Sequence, residues 1–365
     1  MWPRISNKRA ILFVLIVFGC ISPLLILFLP NSSPHDIRTH VQHLLYPADS
    51  IRCFRYNRKT ALTLKDISAY EVRKGKSIFF HETSCRHVQL GKISLDARQA
   101  CAVESAARSN PHWDVYITFS APGLIHTSSS QNDRILGALR EYDNVRLVHL
   151  NFENYTRNTP LEEIYRSGRL DYSSYPISHA SDILRYLTLF KFGGIYMDLD
   201  VVVVKSMEDL KPNYAGAETQ WNVAAGVISM GHEGAGHRYA EACLADLKQH
   251  FSAHEWGNNG PMIVTRLLRQ LCKVELSKDM MNRTCDEFHV YPPFMFYPVP
   301  WVDWKLYFDR ESVPKVFRMI KDSHVLHVWN KHSAGNKVPV GEATAYTTFA
   351  RKFCPKVFEQ VDQYF

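Results

Sequence analysis

The sequence predicts an α/β fold on a mainly parallel mixed sheet, preceded by one N-terminal transmembrane helix. Three observations carry this expectation. Short β-branched runs alternate with helical-period segments from Ser77 onward, the pair Gly193-Gly194 joins an amphipathic helix to an apolar strand, and no charged residue interrupts Ala10 to Leu29.

The uncharged stretch contains ILFVLIVFGCISPLLILFL, which approaches the ~20 residues needed to cross a bilayer. Arg4, Lys8 and Arg9 precede it and little basic charge follows, so the positive-inside rule keeps the short N-terminus cytosolic and sends the rest into the lumen. A cleaved signal peptide competes with this reading, but the apolar run exceeds an h-region of about 7–15 residues and no small-x-small site follows it. Pro23 can kink such a span without excluding it. After it, Pro, Ser, His and Arg occur without sustained periodicity up to about Lys76, the composition of a stem. The expected organisation is a cytosolic tail 1–9, a signal anchor 10–30, a stem 31–76 and a lumenal folded domain 77–365.

Within that domain Ser77 to Phe80, Asp114 to Phe119 and Val145 to Leu150 read as strands, with helices over Asp96 to Arg108 and Asp133 to Tyr142 between them. Thr159-Pro160 followed by Leu161, Glu162 and Glu163 reads as an N-cap, a first-turn proline and an acidic first turn, predicting a helix to about Arg169. Ser178 is the expected N-cap of the next helix, whose Ile183, Leu184, Leu187 and Phe190 recur at helical spacing and whose C′ position falls on Gly193. Ala225 to Met230 and His324 to Trp329 complete the strands. Gly236 to Phe251 and Pro261 to Leu271 complete the helices.

The strand after Gly194 carries Asp198 and Asp200. Side chains of a strand alternate faces, so both carboxylates are expected on one side with Leu199 turned into the core, and Val201 to Val204 continues as a strand buried on both faces. Paired carboxylates suit a hard cation such as Mn²⁺ or Mg²⁺, which takes oxygen ligands and keeps positions open for the phosphate oxygens of a nucleotide. A bare D-x-D can equally cap an ordinary strand.

Composition is that of an ordinary globular protein: 365 residues, 46% hydrophobic and 22% charged. The formal charge of +7 serves solubility, attraction of a diphosphate, or contact with an anionic membrane. No long basic run or aromatic-basic interleaving indicates nucleic acid. Cys20 lies in the expected span, leaving seven lumenal cysteines, an odd number in an oxidising compartment. Cys272 with Cys285 and Cys85 with Cys101 are plausible bridges, although spacing does not fix connectivity, and no C-x-x-C metal pattern occurs. Asn31, Asn154 and Asn282 head three sequons that can be glycosylated or unused.

The run SHASDILRYLTLFKFGGIYMDLD resembles the signature of the Golgi α-1,4-glycosyltransferases. Further stretches in family order are IFFHETS, CAVESAARSNP, WGNNGP, FYPVPWVDWKLYF and HVWNKHS, so the similarity covers roughly the last four fifths of the chain. The resemblance implies a GT-A glycosyltransferase fold, a type II Golgi membrane protein, and retaining transfer of a hexose. UDP-galactose or UDP-N-acetylgalactosamine would be the donor and a glycosphingolipid such as lactosylceramide the acceptor; an α-1,4-N-acetylglucosaminyltransferase of glycoprotein glycans is the alternative.

The resemblance also distributes roles. Asp198 and Asp200 would hold Mn²⁺ (or Mg²⁺), with His327 as a further ligand or a buried structural histidine. Asp182 and Arg185 would contact donor sugar and phosphate, or form a surface ion pair of little weight. Asp182, Asp198 and Asp200 are the expected catalytic carboxylates. Gly193, Gly194, Tyr196, Asn258 and Gly260 would complete the donor site. Tyr297, Trp301, Trp304 and Tyr307 offer rings to a sugar face or a lipid-linked acceptor, or belong to the core.

One stretch departs from the family pattern. Asn followed by Gly or Ala usually precedes the apolar run there, whereas this chain has Val223, Ala224, Ala225 and Gly226, with Asn222 shifted. No carboxylate stands out as a covalent nucleophile. Two other classes remain as rivals: a tethered glycan-binding protein without catalysis, and a glycoside hydrolase, which needs a carboxylic acid and base across the sugar bond.

Overall fold

The computed structural model describes residues 50–55, 63–86 and 91–365, which belong to one packed unit. The expected tail and membrane span lie outside the described residues. Among the described residues no helix is long and apolar enough to cross a membrane.

In chain order the unit places β1 (Ser77–Glu82), α1 (Ala97–Ser109), β2 (Asp114–Phe119), α2 (Gln131–Arg140), β3 (Val145–His149), α3 (Phe152–Thr156), α4 (Glu162–Arg166) and α5 (Pro176–Phe192). It continues with β4 (Gly194–Met197), β5 (Val201–Val203), β6 (Tyr214–Ala217), β7 (Val223–Met230), α6 (Gly234–His250), α7 (Pro261–Cys272), β8 (Thr284–Cys285) and β9 (Phe288–Tyr291). The last elements are α8 (Val313–Met319), β10 (Val325–His327), α9 (Asn330–Ser333), α10 (Ala345–Phe353) and α11 (Pro355–Glu359).

Eight strands form one sheet in the order β3-β2-β1-β4-β7-β6-β9-β8. β3, β2, β1 and β4 are mutually parallel, β7 runs antiparallel to β4 and β6, β9 is parallel to β6, and β8 closes the edge antiparallel. The α/β class and the mainly parallel mixed sheet expected from the alternation of elements are therefore found. β5 pairs instead with β10 in a separate antiparallel ribbon.

The sheet is buried on both faces. Ile78 and Phe80 enter one apolar cluster with α1, α2 and the C-terminal helices, while Phe79 between them enters the other, under α5, α6 and α7. This is the strand period of two at work. Asp96 and Gln99 form a reciprocal capping box at the start of α1, and Ser130 caps α2, so these two helices begin where local side-chain chemistry stops competing with the helix.

Several expectations need correction. The folded unit begins before Ser77: Ile51, Cys53, Phe54 and Ile67 are buried in the core, and Thr63 and Asp66 bridge to Leu124 and His149. The segment lacks periodicity because it contributes isolated plugs rather than a helix face. Cys85 pairs with Cys53, and Cys101 with Cys354, not with each other. The sheet separates them, since Cys85 lies in the cluster beneath α5 and Cys101 in the one beneath the C-terminal helices. Cys272–Cys285 is found as expected, and Cys243 is free and buried.

Local signals also misplaced two helix starts. α5 begins at Pro176, with no side-chain cap, so Ser178 falls inside its first turn. The proline at N1 has its φ already set and lacks an N–H that would otherwise be unsatisfied. The helix expected from Thr159 spans only Glu162–Arg166, because the Thr159 hydroxyl donates to the Thr156 carbonyl at 2.6 Å and continues the preceding turn.

The most consequential correction concerns the acidic pair. The strand expected to run through it is two strands: β4 stops at Met197, Asp198 to Asp200 turn, and β5 starts at Val201 in the other sheet. Leu199 is half-buried in this turn, packed against the core cluster without entering it fully. The Asp198 N–H still donates to Gly226, whereas the Asp200 carbonyl accepts from Val328 beyond β10, so each aspartate is anchored to a different sheet.

Candidate donor and metal site

A cavity of about 620 Å³ opens where β1 and β4 end, with His81, Glu82, Tyr196 and Asp198 on its wall. Parallel strands direct their carboxyl ends here, the position at which open α/β sheets collect ligands. His327 at the end of β10 reaches the same cavity from the other sheet. Its Nε2 lies 3.5 Å from Asp198 Oδ2 and 3.2 Å from Asp200 Oδ1. One ligand atom from each of Asp198, Asp200 and His327 falls within 4.8 Å of the others, a set that could hold a metal ion.

Neighbouring groups fix this set from outside. Asp198 Oδ1 accepts the Tyr196 hydroxyl at 2.7 Å and faces Arg185 at 3.4 Å, leaving Oδ2 for the cavity. Asp200 Oδ2 accepts the Asn330 N–H at 2.7 Å, leaving Oδ1. Gly226 supplies the space: a methyl group there would stand 2.8 Å from Asp198 Oδ2 and 3.2 Å from His327 Nε2. Two carboxylate oxygens and one imidazole nitrogen around a position without a side chain fit a hard divalent cation.

One turn of α5 carries Asp182 and Arg185, 3.1 Å apart, with both side chains at least nine-tenths buried. The alternative of a surface ion pair is thereby removed. Arg185 also donates to the Ala225 carbonyl at 2.7 Å and lies over the Tyr196 ring at 4.7 Å. It sits between two carboxylates.

Their titration diverges. Burial pushes Asp182 up to about 7 against the pull of Arg185. Burial also pushes Asp198 up, but Arg185, His327 and the Tyr196 hydroxyl outweigh it and hold that carboxyl down at about 2. Burial raises Asp200, and the two aspartates raise His327 against the desolvation of its ring. The site thus combines a firmly ionised carboxylate with one able to hold a proton near neutrality.

Other expected site residues are elsewhere. Gly193 and Gly194 lie at the opposite end of β4 from Asp198, both with positive φ; a side chain would collide with His232 at the first and with the Ser77 carbonyl at the second. They allow α5 to turn closely into the sheet and do not line the cavity. Asn258 donates to the His250 carbonyl at 2.6 Å and accepts from Arg266 at 3.1 Å, which uses its amide outside the cavity. Gly260 backs Asp182, where a side chain would strike the carboxylate. Of the aromatic set, Tyr297 and Trp301 line the cavity, Tyr307 is fully buried in the core, and Trp304 packs on Phe308.

Two family models match, "Glycosyltransferase sugar-binding region containing DXD motif" over residues 96–217 and "Alpha 1,4-glycosyltransferase conserved region" over 232–361. The human lactosylceramide 4-alpha-galactosyltransferase is 29% identical over 291 residues, 79% of this chain and 78% of that one. The human alpha-1,4-N-acetylglucosaminyltransferase is 28% identical, across 78% of this chain and 81% of that one. The chain carries the conserved region of the α-1,4-glycosyltransferases behind a DXD-containing sugar-binding region. It is a hexosyltransferase.

The first family region contains the Asp182, Arg185, Asp198 and Asp200 cluster of this glycosyltransferase, and the second contains Tyr297, Trp301 and His327. Sequence reasoning missed Glu218, at the end of β6, which lines the cavity, accepts the Asn222 amide at 3.0 Å and is raised by burial. The strand that positions it, YAGA, has no β-branched residue and is not among the expected strands. Sequence reasoning also missed His81, because a histidine in an apolar strand resembles a core residue.

His81 is in fact held neutral. Its ring sits between the hydroxyls of Thr118 at 2.6 Å and Thr188 at 3.1 Å, and burial followed by Arg185 lowers its pKa from 6.5 to about 3. A depressed histidine pKa means that the unfolded chain takes up a proton that the folded chain refuses. Stability is therefore full above pH 6.5 and falls as pH drops towards 3, by up to about 1.4 kcal/mol per unit from this group. Urea midpoints at about pH 7 and about pH 5 should differ less in His81→Asn than in the native chain. An unchanged difference would remove His81 from the account.

Proposed function

We propose that this glycosyltransferase moves galactose or N-acetylgalactosamine from a UDP-sugar to a glycosphingolipid such as lactosylceramide, forming an α-1,4 linkage with retention. The observation that supports it best is the convergence of Asp198, Asp200 and His327 beside the buried Asp182–Arg185 pair in one cavity at the sheet edge. The reading assigns a GT-A fold to the domain. It also places the catalytic domain in the Golgi lumen behind the apolar N-terminal segment.

Asp198, Asp200 and His327 would hold Mn²⁺ or Mg²⁺, which supplies charge neutralisation of a diphosphate leaving group. The protein's own groups do the rest. Arg185 fixes the Asp198 carboxylate and extends positive potential towards the diphosphate. Asp182, able to keep its proton near neutrality, offers a hydrogen bond to a donor hydroxyl, and Trp301 and Tyr297 provide surfaces for the acceptor sugar. Ala224, Ala225 and Gly226 leave one wall of the cavity without the side-chain amide of the family pattern.

The second reading, an α-1,4-N-acetylglucosaminyltransferase, is favoured by the similarity to the human enzyme of that name. A panel separates the two. The full chain in detergent micelles is offered UDP-galactose, UDP-N-acetylgalactosamine and UDP-N-acetylglucosamine, each with lactosylceramide or a glycoprotein O-glycan, with Mn²⁺ or with EDTA. Metal-dependent product on lactosylceramide, with an α-1,4 linkage, is the expected result. Product only from UDP-N-acetylglucosamine on the glycan selects the second reading.

A further inference from the structure

The rim of the cavity carries large apolar side chains that the fold leaves in solvent. Trp256 is 41%, Trp301 43% and Val302 63% exposed. Basic groups accompany them: Lys331 Nζ stands 3.3 Å from the centre of the Trp256 ring, the His332 ring stacks on Trp301 at 5.2 Å, and exposed Lys305 follows on the turn Trp301–Tyr307. Aromatic and aliphatic tips next to lysines are the composition of a surface that rests in a lipid headgroup layer. Asp303 on the same turn offsets one lysine, so apolar area must carry most of the contact.

Chain connectivity points to the same side of the molecule. Ser50, Ile51 and Arg52, the first described residues, line a second hollow, and Ile177 and Ser178 line both this hollow and the donor cavity. Residues 30–49 separate Ser50 from the apolar run that ends at Leu29. Twenty residues reach at most about 70 Å when extended and span about 25 Å as a coil. Ser50 thus lies beside the cavity, and a membrane span ending at Leu29 would be within reach of it.

We propose that the rim formed by Trp256, Trp301, Val302, Lys305 and Lys331 rests on the bilayer surface and presents the cavity to a lipid-linked acceptor. The inference rests on the glycolipid reading above. Val302 and Lys305 lie outside the cavity lining, so their loss affects membrane contact and not sugar binding.

The test uses the full chain reconstituted in vesicles of phosphatidylcholine and phosphatidylserine. Without any acceptor, brominated acyl chains should quench tryptophan fluorescence less in the Trp256→Phe/Trp301→Phe variant than in the native chain. With acceptor, Val302→Asp/Lys305→Glu should lower transfer to vesicle-embedded lactosylceramide about tenfold and leave transfer to free lactose within about twofold. Equal quenching in the two chains overturns the inference, as does an equal loss on both acceptors or a loss on neither. Transfer to no glycolipid, with quenching as expected, overturns the glycolipid reading and leaves the membrane contact standing.

Discussion

Asp200→Asn should lower transfer by about 10²–10³-fold or more while the fold persists. The substitution keeps an oxygen for the Asn330 N–H but removes the negative charge that Oδ1 presents to the cavity. Folding should tolerate it, because burial already disfavours the ionised form of this carboxyl. Asp198→Asn is expected to be equally inactive and less stable. Arg185, buried between two aspartates, would then depend on Asp182 alone, and breaking a buried pair costs about 3–5 kcal/mol at the upper limit. Initial rates across a series of Mn²⁺ concentrations, beside a thermal melt of each variant, separate the two effects. Native activity in Asp200→Asn would sink the metal assignment.

Removing the Cys101–Cys354 bridge should have the largest effect on stability. It closes a loop with a sequence separation of 253, and the chain-entropy model assigns such a loop about 5 kcal/mol. It also reinforces a packed junction: Glu104, one turn beyond Cys101 on α1, accepts the Lys356 N–H at 3.0 Å and the Val357 N–H at 2.7 Å at the start of α11. The double variant Cys101→Ser/Cys354→Ser, which leaves no stray thiol at either position, should melt on the order of 10 °C lower. Neither cysteine lines the donor cavity, so the variant should retain transfer activity at low temperature. An unchanged melting temperature would mean that packing around Glu104 alone holds the C-terminus.

The elements closest to the site show how far a linear reading reaches. The periodicity of Ile183, Leu184 and Leu187 was enough to place α5, and a D-x-D behind it was enough to suggest a cation site. The period of two was not enough to describe the acidic turn, because an apolar run after a strand looks the same whether it continues that strand or leaves for another sheet. β5 does the latter, and its partner is 122 residues away at Val325–Val203. The Gly193-Gly194 pair misled in a related way. Glycines that allow close backbone approach read alike whether the approaching group is a ligand or, as here, Ser77 and His232.

The sequence alone determined the α/β class, the alternation that makes the sheet mainly parallel, the acidic pair, and the family signature, because each of these is a local pattern of polarity or residue identity. Tertiary structure alone decided which groups share the cavity. His327 joins Asp198 and Asp200 only because β10 pairs with β5, and Arg185 adds Asp198 to Asp182 of its own helix only because α5 packs against the end of β4. It also decided which cysteines meet and that residues before Ser77 belong to the core. Those outcomes depend on contacts between distant segments, and a local pattern contains no information about which distant surface will bury it.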